Sequence, residues 1–151
     1  MKEYKSTMPE ITLKYKSGDV KKYQIKQSSD VFTIAKELLN LDTVELSEES
    51  LCLYLNKAHN TIGWTRISQG GIAGTIMDPR LIFQKAILCG ASALILIHNH
   101  PSCNLKPSDQ DIDITKKIKE GARYFEISLL EHLIIAGDLK KYYSFADEGI
   151  L

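Results

Sequence analysis

At 151 residues and 44% hydrophobic content the chain can bury one core, and nothing in its composition reads as disordered or low-complexity. Its 19 basic and 19 acidic side chains cancel to a net charge of 0, which argues against nucleic acid as the main partner. Three cysteines, Cys52, Cys89 and Cys103, are an odd number without CxxC spacing, which argues against a disulfide framework and fits a reducing cytoplasm. Met1 to Lys16 is polar and charged, unlike a signal peptide, and no apolar run is long enough to span a bilayer. The expectation is a soluble cytoplasmic protein with no membrane partner.

In chain order, Ile11, Leu13 and Tyr15 alternate with polar residues, Ser17-Gly18-Asp19 supplies a turn, and Tyr23 and Ile25 alternate again. This pattern predicts a β-hairpin. Lys14, Lys16, Lys21, Lys22 and Lys26 then read as its solvated face. Ser28 or Ser29 caps a helix running to about Leu39, with Val31, Ile34, Ala35 and Leu38 at helical spacing and Asn40 as a stop signal.

Leu51 to Leu55 is a continuous apolar run, as a central strand requires. Lys57 to Asn60 turns the chain, and Ile62 to Ser68 forms the next strand. Gly70 and Gly71 interrupt the pattern: they mark a bulge, a close approach of another backbone such as a strand-like substrate, or a plain connection. Asp78 as N-cap and Pro79 at the first position open a second helix, with an apolar stripe of Ile82, Phe83, Ala86 and Ile87 and a stop at Gly90. A strand through Ala93 to Ile97 follows. A third helix starts at Ser108 with Ile112, Thr115, Ile118 and Ala122 facing inward, then come a strand from Ser128 to Ala136 and a short one from Tyr142 to Phe145. Helices mixed with strands in this order predict an α/β or α+β fold, a sheet with helices packed on it.

The chemistry concentrates between His98 and Asp111. On a strand, residues i and i+2 share a face, so His98 and His100 can aim both imidazoles at one point. Asp111 lies eleven residues beyond His100, in the first turn of the third helix. Two imidazoles and a carboxylate, with no fourth protein ligand in evident reach, suit a catalytic zinc with one coordination position open to water. The bland alternative is that Ser108-x-x-Asp111 is only a helix N-terminus, a serine cap with an acid in the first turn.

His98-x-His100, seven residues, Ser108, two residues, Asp111 matches the JAMM motif of MPN-domain metalloproteases at every specified position. The flanking wording, HNHP, LKPSDQDIDITKKIKEGA, LLEHLII and the chain end SFADEGIL, resembles the RadC family of bacterial JAMM proteins. The resemblance runs from about Glu48 to Leu151. It implies a curved mixed sheet flanked by helices with the layering of cytidine deaminases, and a domain division into an N-terminal extension, residues 1–45, and a RadC-like MPN domain, residues 46–151. RadC proteins usually carry an N-terminal helix-hairpin-helix; the predicted hairpin and short helix are not that module, which weighs against direct DNA binding.

The resemblance further implies one Zn2+ per chain on His98, His100 and Asp111, and a peptide or protein substrate cut at a peptide or isopeptide bond. It implies a glutamate general base before the first central strand, among Glu45, Glu48 and Glu49. In family members that glutamate stands eight positions ahead of an asparagine, which counts back from Asn56 to Glu48, with Glu49 as runner-up. Ser108 can cap the helix and also hold the oxyanion on the attacked carbonyl. Pro101 and Pro107 stiffen the intervening loop. Cys103 stands where related sequences commonly have glycine; its thiolate would block the open position if it reached the metal, and an inert loop residue is the default. His132 reads as a satisfied structural histidine rather than a ligand, and His59 as an exposed turn residue. The alternatives to a hydrolase are a DNA repair or recombination accessory and a non-catalytic scaffold.

Overall fold

The computed structural model describes residues 7–19, 21–70 and 77–151. Among the described residues three helices, α1 (Ser28–Leu38), α2 (Pro79–Leu88) and α3 (Asp109–Tyr124), accompany five strands. The strands are β1 (Glu49–Leu55), β2 (Thr61–Gln69), β3 (Ala93–His100), β4 (Ser128–Ala136) and β5 (Tyr142–Ser144), in the sheet order β2-β1-β3-β4-β5. β3 is antiparallel to β1 and parallel to β4, and the β3–β4 crossover carries α3. The sheet is therefore mixed, with helices on both faces, as expected from the α/β reading.

The central strands read as unbroken apolar runs because both of their faces are covered. Leu51, Leu53, Leu55, Ile95 and Ile97 pack with Val31, Ile34 and Ala35 of α1. Cys52, Tyr54, Leu94 and Leu96 pack on the opposite face with Ile82 and Ala86 of α2 and Ile118 and Ala122 of α3. Even-numbered positions of β1 and β3 thus face α2 and α3, and odd-numbered ones face α1. Burial on that second face pushes the Cys52 thiol up to about 12, and all three cysteines are free.

The predicted N-terminal hairpin is a correction. Residues 7–19 form no strand, Ile11 is 92% exposed, and only Gln24 makes an isolated bridge, to Asn60. Alternation alone gives such a segment nothing to bury, and a lone two-stranded hairpin is marginal in water. The cap of α1 also moves by one: Gln27 is the N-cap, and the Asp30 carboxylate accepts from the backbone N–H of Gln27 at 3.1 Å and of Lys26 at 2.8 Å. Ser28 instead donates to Asp147 at 2.6 Å, tying the helix to the C-terminal region. In α2, Ile87 is half exposed rather than part of the buried stripe, and in α3 Ile112 is only partly buried. Gly71 lies outside the described residues.

Candidate metal centre

His98 and His100 end β3 on its even-numbered face, which is the face α3 covers. Ser108 caps α3 as expected: its Oγ accepts from the Asp111 N–H at 3.0 Å, and the Asp111 Oδ2 accepts from the Ser108 N–H at 2.8 Å. The same carboxylate faces the histidines. His98 Nε2 lies 3.3 Å from Asp111 Oδ1, His100 Nε2 lies 3.5 Å from Asp111 Oδ2, and the two Nε2 atoms are 3.0 Å apart. Capping and ligand geometry are therefore compatible, because a carboxylate has lone pairs enough for both.

These separations can be tested against a metal. Bonds of about 2.0–2.1 Å arranged tetrahedrally place ligand atoms roughly 3.3 Å from one another. Among the described residues His98, His100 and Asp111 are the group that could hold an ion, with one ligand atom from each within 4.8 Å of the others. The 3.0, 3.3 and 3.5 Å contacts bracket the expected spacing, the last two through different oxygens of Asp111.

Electrostatics agrees with the donor set. Burial would raise the Asp111 carboxyl, but the His100 and His98 imidazoles beside it outweigh that and hold the group well below the usual carboxylate range. Burial would lower His100, but the Asp111 carboxylate and the Asn104 carbonyl outweigh it and raise the imidazole, with the charge of Glu48 acting in the same sense. A cation is what this corner of the protein favours.

The loop between the ligands is built around His100. The Asn104 carbonyl accepts from His100 Nδ1 at 2.6 Å, so Nε2 is the nitrogen turned toward Asp111. The His100 carbonyl accepts from Cys103 N at 3.0 Å and Gly137 N at 2.9 Å. A side chain at Gly137 would meet the Pro101 carbonyl oxygen at 2.6 Å, so glycine lets β4 pass the loop. Cys103 is exposed and outside the donor group, in keeping with an inert loop residue. Its φ of 61° lies in the left-handed region that favours glycine.

Glu48 and Glu49 separate cleanly. The Glu49 carboxylate is buried, accepts from the Asn40 N–H at 2.6 Å and pairs with Arg66 at 2.8 Å. It lies on the odd-numbered, α1-facing side. Glu48 shares its parity with Ser50, which pairs with His98 across the β1–β3 ladder, and its charge is felt at His100. Asn99, between the two histidines, points the other way: it accepts from the Glu49 N–H at 2.7 Å and donates to the carbonyls of Val44 at 2.8 Å and Ser47 at 3.0 Å. The middle residue of the motif therefore pins the segment that carries Glu48. Sequence reasoning misses this role, although the parity of a strand already sends Asn99 away from the histidines.

With this geometry in hand, comparison with known proteins decides the family. A family model described as the RadC-like JAB domain matches residues 25–150. The chain belongs to this family. It is 44% identical to a UPF0758 protein of Flavobacterium johnsoniae, over 93% of this chain and 60% of that protein. It is 46% identical to a UPF0758 protein of Porphyromonas gingivalis, over 69% of this chain and 45% of that one. It is 36% identical to the UPF0758 protein YfjY of Escherichia coli, over 78% of this chain and 72% of that one. The chain spans about half the length of most curated relatives it matches. Among the described residues no helix is long and apolar enough to cross a membrane.

Proposed function

We propose that this JAB domain is a zinc-dependent hydrolase that cuts a peptide or isopeptide bond in a protein or peptide substrate. The observation that carries the reading is the convergence of His98 Nε2, His100 Nε2 and the Asp111 carboxylate: the two nitrogens lie 3.0 Å apart, the first 3.3 Å from Oδ1 and the second 3.5 Å from Oδ2. Zinc bound there supplies an electrophile that acidifies water towards about neutral pH and polarises the scissile carbonyl. Glu48 takes the proton from the attacking water and delivers it to the leaving amine. The effect of its charge on His100 supports this role, whereas the Arg66 and Asn40 contacts of Glu49 favour a structural one. Ser108 holds the developing oxyanion through its hydroxyl hydrogen, a group its capping lone pair does not use. Asp111 stays ionised and positions the ion.

Metal analysis of the purified protein and of His100→Ala tests the centre. One zinc per wild-type chain and much less in the variant is the expected result; a wild-type protein without zinc at neutral pH removes the reading. A peptide-library cleavage screen then tests the chemistry. Glu48→Gln should keep its zinc and lose cleavage, while Glu49→Gln should melt at lower temperature. Zinc-loaded protein that cleaves nothing favours a binding scaffold instead.

A further inference from the structure

We propose that His132 and Thr115 are positioning residues of the metal centre: a one-way hydrogen-bond chain through them fixes which nitrogen of His98 faces the ion. The inference rests on the metal reading above and extends it to two residues outside the ligand set.

The direction of the chain follows from its end. Thr115 sits on α3, one turn beyond Asp111, and its Oγ1 lies 2.5 Å from the Asp111 backbone carbonyl. A carbonyl only accepts, so the single hydroxyl hydrogen of Thr115 is committed there. Thr115 Oγ1 is also 2.6 Å from His132 Nδ1, and having no hydrogen left it must accept. His132 therefore carries its proton on Nδ1 and is bare at Nε2. That bare nitrogen lies 2.8 Å from His98 Nδ1, which must donate to it. One tautomer of His98 remains: hydrogen on Nδ1, lone pair on Nε2, aimed at Asp111 Oδ1 and His100 Nε2.

Packing keeps the chain from reorienting. His132 is fully buried on β4 and stacks on the fully buried Phe145, with ring centroids 4.6 Å apart and planes 16° from parallel. Thr115 is buried as well. The chain begins at the Asp111 carbonyl and ends on His98, so it ties two ligands from different elements together by a route that does not pass through the metal. His100 is held otherwise, by the carbonyl of Asn104 in its own loop. A ligand histidine is commonly oriented by a carboxylate, carbonyl or water on its second nitrogen; here a neutral histidine backed by a threonine takes that place.

The first test is the tautomers themselves, read from long-range 1H–15N correlations of histidine-labelled, metal-free protein above the imidazole titration range. Hydrogen on Nδ1 of both His98 and His132 is expected; hydrogen on Nε2 of His132 overturns the proposal. The second test is zinc affinity by chelator competition. Thr115→Val leaves the His132 Nδ1–H buried without an acceptor, and should weaken zinc binding by about 10- to 100-fold, as loss of an outer-shell partner does. Thr115→Ser should restore it. A Thr115→Val protein that folds and binds zinc like the wild type overturns the proposal; if that variant does not fold, the wild-type tautomers and Thr115→Ser decide. A wild-type protein that shows the expected tautomers but binds no zinc defeats the metal reading instead, so the two failures are distinguishable.

Discussion

Helices α1 and α3 both start on a capping box closed by an aspartate three residues past the N-cap, Asp30 in one and Asp111 in the other. Each carboxylate accepts from the backbone N–H of its cap residue, at 3.1 Å in α1 and 2.8 Å in α3. The local chemistry is the same device. The surroundings differ. The chain enters α1 from a segment in which, among the described residues, Ile25 alone is buried, and Asp30 accepts from the backbone amides of Lys26 and Gln27. The chain enters α3 from a loop folded over the end of β3, and Asp111 meets two imidazoles. An aspartate at a helix start is thus a cap by its sequence neighbours and a candidate ligand by its spatial ones.

The sharpest way to break this pairing is to replace each aspartate by asparagine, whose carbonyl oxygen can still accept the capping N–H. Asp111→Asn should stay folded, with a stability change of about 1 kcal/mol, and should lose zinc affinity by more than the roughly 100-fold that an outer-shell loss costs. Asp30→Asn should leave zinc affinity unchanged. Thermal melts and chelator competition on the two variants read both quantities. Equal zinc binding by wild type and Asp111→Asn would contradict the ligand role.

Proton competition is the next effect in size. In the metal-free protein the His100 imidazole is raised, and its contribution to stability is fully present below the ordinary histidine value and lost as pH climbs through the raised one. Asp111 is depressed, so its contribution is present above the ordinary aspartate value and lost only as pH falls through the depressed one. Metal-free protein should therefore lose stability on the alkaline side of the His100 titration. Zinc binding must expel the His100 proton, so below that titration zinc affinity should fall by about tenfold per pH unit for the one proton displaced. Melting temperatures with and without zinc should diverge as pH rises. Asp30→Asn should show the same divergence and Asp111→Asn should not.

Most of the fold and the donor set is legible in the sequence alone. Periodicity places the helices and central strands to within about three residues, the largest miss being β3, which runs on from Ile97 to His100, and the motif from His98 to Asp111 names the candidate donors. Three things are not legible there, each for a physical reason. The unbroken burial of β1 and β3 hides which face each residue takes, so Glu48 and Glu49 separate only once the two cores show the parity. The alternation of Ile11, Leu13 and Tyr15 is a local signal, and these side chains stay exposed. The use of His132 depends on the parallel pairing of β3 with β4, a contact 34 residues apart in the chain that no local pattern announces.

The approach to α3 offers two smaller tests of what separates the two helix starts. Gly137→Ala puts a carbon within 2.6 Å of the Pro101 carbonyl oxygen, so the loop or β4 must shift. A loss of about 1–3 kcal/mol is expected, the usual range for overpacking. Zinc affinity should fall with it, because the His100 carbonyl and Pro101 move together with the ligand they follow.

Cys103→Gly acts in the opposite direction and more weakly. Cys103 sits at φ 61°, in the left-handed region where a Cβ crowds the following carbonyl, at about 1–2 kcal/mol for an L-residue. Glycine relieves that strain but also frees the unfolded chain, which offsets roughly 0.5–1 kcal/mol of the gain. The expected net is a stabilisation of up to about 1 kcal/mol, seen as a small rise in melting temperature. Zinc content should be unchanged, since the thiol is exposed and outside the donor group. A drop in zinc content on losing this thiol would make Cys103 a fourth ligand, and a centre closed by four protein ligands has no position left for the water that hydrolysis needs.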